Sequence, residues 1–197
     1  MKVHTISSPE HLPENGTAFE LTHLLWGTKS IPRTTGKIGY IENDGFYISM
    51  RCEEADPLCT YTENGSPVYR DSAMEAFFLF GSDDGPYINI EFNANGALLA
   101  MHGRSRSGRV LFTPRQCQMV SLRANIYPTF WEASFRLPIT LLKDVYGTDF
   151  FLQEQTFSAN FYKISETPAL EHYASFAPII SGSPDFHLPE YFEKFSF

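Results

Sequence analysis

Runs of six to ten residues rich in Phe, Tyr, Ile, Val and Met recur along this chain, and Gly, Pro, Asn or Asp closes almost every one within a few positions. They fall at 36–41, 45–52, 74–80, 87–93, 97–102, 118–127, 131–138 and 156–164. Punctuation this dense leaves no room for long helices and predicts short strands. One segment, "PITLLKDVYG", has the apolar spacing of a short helix ended by Gly147. The expected fold is therefore all-β, an antiparallel β-sandwich of jelly-roll or immunoglobulin-like type with one or two short helices. No low-complexity linker or repeat divides the sequence, so residues 1–197 are expected to form one domain, with 1–35 as an N-terminal extension packed on it. Of its residues 43% are hydrophobic and 19% charged, enough for a packed core.

The segment "VYRDSAMEAFFLF" (68–80) sets an acid among large apolar groups. In a strand, Met74, Ala76, Phe78 and Phe80 share one face and Glu75, Phe77 and Leu79 the other. The face carrying Glu75 must be covered by other chain or receive a ligand. The next hairpin suggests a polar surface for it to join. If Asn95-Gly96 is a two-residue turn, Ala94 faces Ala97, and Phe92 pairs with Leu99, Glu91 with Ala100, Ile90 with Met101 and Asn89 with His102. Ile88, Ile90, Phe92, Leu99 and Met101 then belong to the core. Asn89, Glu91, Asn93 and His102 make a polar face, with Arg104 just beyond it. Trp131, Ala133 and Phe135 alternate onto one side of their strand and read as core.

Several function classes are disfavoured. A formal net charge of -8 opposes nucleic-acid binding, and the one basic cluster, Arg104, Arg106 and Arg109, suits a small anionic or hydroxylated ligand better than a duplex. There is no nucleotide-binding fingerprint. "GRSRSG" lacks the nucleophile-elbow spacing, and the six histidines show no zinc spacing, so His172 reads as a hydrogen-bonded structural residue. Cys52, Cys59 and Cys117 do not form a disulfide framework. No apolar run follows Lys2 and no membrane span is visible, so the sequence as given predicts a cytoplasmic protein, or an extracellular one if a leader was removed. What remains is a strand face that mixes amide, carboxylate, imidazole and guanidinium groups with aromatic rings, as sugar hydroxyls and the C–H faces of pyranoses require.

The motif "VYRDSAMEAFFLF…GPYINIEFNANGALLA" resembles carbohydrate-binding module family nine, in its stand-alone branch. That family has an Asp-Ser-x-x-Glu-x-Phe strand, matched by Asp71 to Phe77, and a hairpin matched by Tyr87 to Gly96. A Trp-to-Pro strand is matched at 131–138, an Asn-Phe-Tyr-Lys strand at 160–163, and a C-terminal Phe-His-x-Pro segment begins at Phe186. The resemblance implies a β-sandwich that binds glycans of xylan or cellulose type, often at a chain end, without turning them over. It gives Glu75 the role of hydrogen-bond acceptor for sugar hydroxyls. The family's two stacking tryptophans fall near Tyr69 and on Phe186, and polar positions fall on Tyr162 and on the Asn89/Glu91 neighbourhood. Both stacking tryptophans are thus smaller rings here, and Glu193 stands where the family has Gly. The resemblance also brings calcium as a candidate cofactor, held by loop acids such as Glu42, Asp44, Asp56, Asp83 and Asp84.

The expected sugar site is therefore Glu75, Tyr69, Phe186, Tyr162, Asn89, Glu91, His102 and Arg104. Two other readings stay open at this stage: a glycoside-active enzyme using Glu75 with Glu91, and a protein-interaction module that has lost sugar binding.

Overall fold

The computed structural model describes residues 1–148, 150 and 155–197. The described strands form two sheets. The first is built on β4 (Thr34–Ile41) and β5 (Gly45–Cys52), followed by β11 (Trp131–Pro138) and β10 (Arg123–Ile126), with β1 (His4–Thr5) and β2 (Thr17–Glu20) both on the outer edge of β4. The second runs β3 (His23–Leu24), β13 (His172–Ser175), β12 (Thr156–Ser165), β6 (Ala73–Leu79), β7 (Tyr87–Asn93), β8 (Leu98–Gly103), β9 (Val110–Leu111), and β14 (Glu193–Ser196) shares an edge of β12 with β13. The strand pairs are antiparallel except β1 with β4. Residues 1–35 are woven into this frame, adding strands to both sheets and a one-turn helix, α1 (Leu12–Asn15).

Between the sheets lies an aromatic core. Met74, Ala76 and Phe78 of β6 and Ile88, Ile90 and Phe92 of β7 meet Phe46, Ile48 and Met50 of β5 and Trp131, Ala133 and Phe135 of β11. The outer face of the second sheet is apolar as well. Phe77, Tyr87, Tyr162, Phe186 and Phe192 form a second buried cluster there. The sheet is thus covered on both sides over part of its length, so every residue of β6 and β7 is buried. That explains an acid-containing strand that is apolar on both faces.

Two expectations change. The β7–β8 turn is a three-residue loop, 94–96: Asn93 N–H donates to Ala97 O, Gly96 N–H donates to Asn93 O, and Gly96 sits at φ +79°. This loop places one residue more between the strands than a two-residue turn would. The register therefore shifts by one, pairing Glu91 with Leu99, Asn89 with Met101 and Ile88 with His102. Leu99 and Met101 move to the face of Glu75, and His102 leaves it. Second, the strand expected over 118–127 is split: Pro114–Val120 is a helix, α2, and only Arg123–Ile126 is strand. A capping box between Thr113 and Gln116, with Pro114 at the first turn, starts that helix. The helix read at 138–147, here α3 (Ile139–Tyr146), ends at Gly147 as expected.

A buried ionic network ties the sheets together. Lys163, fully buried on the inner side of β12, donates to Ser72 Oγ (2.6 Å), His172 Nε2 (2.9 Å) and Ile164 O (3.5 Å), so each ammonium hydrogen has an acceptor. Ser72 Oγ–H in turn donates to Glu54 Oε2, which also accepts from Trp131 Nε1 and lies 3.9 Å from Lys163 Nζ. Burial opposes the charge on both partners. It pulls Lys163 down, whereas Glu54 is held below the usual carboxylate range by Lys163, Ser72 and Trp131. The fully occupied donor set favours the ion pair. Burial and the neighbouring ammonium hold His172 down to about 4, so it is the neutral ring that accepts from Lys163 while Nδ1 donates to Leu170 O. Lys163→Met leaves Glu54 without its counter-charge and is expected to lower stability by about 3–5 kcal/mol in chemical denaturation.

Candidate functional site

On the outer face of the second sheet, the cross-strand row runs Tyr162, Glu75, Glu91, Leu99. Glu75 and Glu91 are direct neighbours on adjacent strands, which sets their Cβ atoms roughly 4.5–5.5 Å apart and aims both side chains the same way. They form the floor of a cleft of about 370 Å³, with Leu99, Met101 and Ile164 beside them. Tyr69, on the short turn Val68–Arg70, stands on one wall, and Trp26, Tyr173, Phe186 and His187 supply others. Two arginines of the β8–β9 loop, Arg106 and Arg109, also line it.

Local structure explains each placement. Asp71, two residues ahead of β6, is buried; it accepts from Thr60 Oγ1 (2.6 Å), Tyr61 N–H (3.1 Å) and Asn93 Nδ2 (2.8 Å), which fastens the preceding loop to β7. In the Asp-Ser-x-x-Glu motif, Asp71 and Ser72 therefore hold the frame and Glu75 faces the cleft. Asn160 clamps the C-terminal segment by donating to Ala177 O and Tyr191 O and accepting from Ala177 N–H. Phe186 lies flat on Tyr162, with ring centroids 4.1 Å apart and planes 14° apart. Arg106 joins the two loops through a hydrogen bond to Pro184 O and an ion pair with Asp185.

The two glutamates differ in their bonding. Arg109 Nε donates to Asn89 Oδ1 (3.0 Å), and Asn89 Nδ2 donates to Glu91 Oε1 (2.7 Å). The Arg109 guanidinium also stacks on the Tyr87 ring, 4.1 Å from its centroid. The Glu75 carboxyl accepts no hydrogen bond from any described residue, and no buried side-chain oxygen is sealed off without a partner, so its oxygens keep contact with the cleft. Burial raises Glu91 to about 7, against the Asn89 bond and Arg109. Burial raises Glu75 well above the usual carboxylate range, and a charge on Glu91 presses it further. The pair thus ionises in two steps, Glu91 first. Burial and both arginines hold His187 down to about 3, so its neutral ring pairs with the Tyr87 hydroxyl (2.9 Å).

Of the residues expected from sequence, Glu75, Glu91, Tyr69 and Phe186 meet in this one cleft. Asn89 and Tyr162 lie under it, fully buried, where Asn89 bridges Arg109 to Glu91 and Tyr162 supports Phe186. His102 is turned toward Phe112 by the shifted register, and Arg104 lines a separate groove with Asp83 and Asp84. Arg109 and Arg106, from the same basic cluster, reach the cleft instead. Trp26 was not anticipated. It belongs to no strand pattern, and its only sequence signal is a large ring before Gly27 in an irregular segment. The acids considered for calcium stand in separate loops, Glu42 and Asp44 between β4 and β5, Asp56 after β5, and Asp83 and Asp84 after β6. Among the described residues no three His, Cys, Asp or Glu side chains form a metal-binding group, so these acids do not fit a calcium cage built from side chains. Also among the described residues, no helix is long and apolar enough to cross a membrane.

The site is thus a cleft with an acidic floor and aromatic walls on the outer face of one sheet of a β-sandwich. The chain matches the model of carbohydrate-binding family 9 over residues 8–197 and belongs to that family. Its fold is that of a Bacteroides uniformis protein provisionally described as carbohydrate-binding, with TM-score 0.84 and 21% identity over 100% of this chain and 98% of that one. It is also similar to a family 9 module from Caldicellulosiruptor kristjanssonii. The complex with cellotriose has TM-score 0.59 and 8% identity, covering 98% of this chain and 87% of that one. The complex with glucose has TM-score 0.60 and 8% identity, covering 100% and 94%. No curated protein matches the sequence.

The acidic floor has a stability signature. Folded Glu91 keeps its proton to about pH 7, while the unfolded carboxyl releases it near 4.5. The folded state binds more protons between those values, so this group's contribution falls as pH rises through that window. Thermal unfolding from pH 4.5 to 8 is expected to show Glu91→Gln gaining stability relative to the parent protein toward the alkaline end. A constant difference across the range contradicts the assignment.

Proposed function

We propose that the cleft binds a plant-type glycan of xylan or cellulose class, non-covalently and at a chain end as in the family, with Glu75 accepting hydrogen bonds from sugar hydroxyls and Tyr69 and Phe186 packing on the ring faces. The observation that carries this reading is the Glu75 carboxyl: open to the cleft, without a hydrogen-bond partner among the described residues, and flanked by rings. A buried acceptor left unpaired is costly, and a hydroxyl-rich ligand relieves that cost when it docks. Glu91, oriented by Asn89 and Arg109, offers a second acceptor at fixed geometry. The known complexes of the Caldicellulosiruptor module with cellotriose and glucose support the same ligand class.

The alternative of glycoside hydrolysis is less well supported. Hydrolysis needs two carboxyl groups that flank the scissile bond, one as acid and the other as base or nucleophile. Glu75 and Glu91 stand side by side on one sheet face and address a ring from the same side. That arrangement suits paired hydroxyl recognition. Isothermal titration with cello- and xylo-oligosaccharides is expected to give saturable binding that Glu75→Ala, which removes the acceptor, weakens by about tenfold or more. Reducing sugar released in proportion to protein and time would overturn the reading, as would binding that is indifferent to Glu75→Ala.

A further inference from the structure

Trp26 borders two hollows. Its indole lines the acidic cleft, and it also lines a neighbouring groove of about 650 Å³ whose wall continues through Lys29, Ser30 and Glu171. Tyr173 and Pro184 are shared by the two hollows in the same way. The acidic cleft alone, at about 370 Å³, is near the lower end of the roughly 300–1,000 Å³ found for small-ligand sites. A ligand longer than the first cleft can hold would next meet Trp26.

The ring is held as a fixed platform. Trp26 has φ +48°, a left-handed conformation that a bulky residue adopts only when its surroundings impose it, and Gly27 follows at φ +86°. The turn is pinned to β13: Leu25 N–H donates to Tyr173 O, Tyr173 N–H donates to Thr28 Oγ1, and Thr28 N–H closes back to Leu25 O. The indole Nε1–H donates to Ser181 O (3.0 Å), while Tyr173 meets the ring edge-on and Phe186 lies tilted beside it, both at 5.4 Å. With its polar edge and two flanks occupied, the half-buried indole has apolar surface left for a ligand. Beyond it, Lys29, Ser30 and the Glu171 carboxylate, which accepts from the Tyr173 hydroxyl, provide donors and an acceptor for hydroxyls.

We infer that the ligand is an oligosaccharide bound across two subsites, running from the Glu75 floor over Trp26 into the groove of Lys29, Ser30 and Glu171, with Trp26 as the stacking ring between them. The inference rests on the sugar-binding reading of the first cleft. It also accounts for how a site with Tyr69 and Phe186 regains an indole platform, from a different part of the chain.

Isothermal titration of glucose and xylose against cellotriose and xylotriose tests it, with intrinsic fluorescence as a second readout. Trp131 is fully buried in the core, so a ligand-induced change in indole emission reports on Trp26. One trisaccharide is expected to bind about tenfold more tightly than its monosaccharide and to shift the emission. Trp26→Ala is expected to narrow that ratio to about twofold, and Trp26→Phe to remove the emission change. Should Trp26→Ala fail to fold, the exposed double variant Lys29→Ala/Ser30→Ala carries the test, with trisaccharide affinity expected to fall about threefold. Glu75-dependent binding in which each trisaccharide is no tighter than its monosaccharide would overturn the second subsite and leave the first cleft standing. Absence of any Glu75-dependent sugar binding would overturn both.

Discussion

Two carboxyl groups opposite each other on a sheet that is buried on both faces are an expensive arrangement. Glu75 and Glu91 each lose hydration, and neither can ionise without disfavouring the other. Packing alone would be served better by apolar side chains at both positions, as Phe77 and Tyr87 show on the same face. The molecule keeps the pair at the bottom of an open cleft, secures only Glu91 through Asn89 and Arg109, and leaves Glu75 available. The aromatic walls, the basic loop and the N-terminal turn are arranged around that one unsatisfied acceptor.

The rest of the polar interior holds the strands that carry it. Asp71 and Asn93 lock the loop ahead of β6 to the end of β7, at one end of the strand pair that carries the Glu75–Glu91 row. Asn160 fixes the C-terminal segment, so that Phe186 and His187 arrive over the same row from far along the chain. Lys163, one residue from Tyr162 but on the opposite side of β12, joins the sheet to Glu54 and Trp131. Alternation along β12 thus gives one face to ring support and the next residue to an internal ion pair.

Much of this was legible in the sequence, for reasons that can be named. Period-two alternation and dense turn residues mark 45–52, 87–93 and 131–138 with the bounds that the structure has, because core burial and turn chemistry agree there. Glu75 stood out as an acid where packing predicts an apolar residue. The β7–β8 register was misread because Asn95-Gly96 can close either a two- or a three-residue loop, and one residue of difference exchanges Met101 for His102 on the site face. Helix α2 had a readable start in its Thr113/Gln116 capping box, obscured by the β-branched and apolar residues that follow. Trp26 obeys no periodicity, since its position is set by a turn pinned to a strand nearly 150 residues away, and no local pattern encodes such a contact.

A crystal structure of the protein soaked with cellotriose or xylotriose tests most directly the proposal that Glu75 is the acceptor around which a sugar docks. A pyranose is expected on the cleft floor with a hydroxyl about 2.5–3.2 Å from a Glu75 carboxyl oxygen and with its faces toward Tyr69 and Phe186. A sugar bound elsewhere on the molecule, with the Glu75 carboxyl uncontacted, would contradict it.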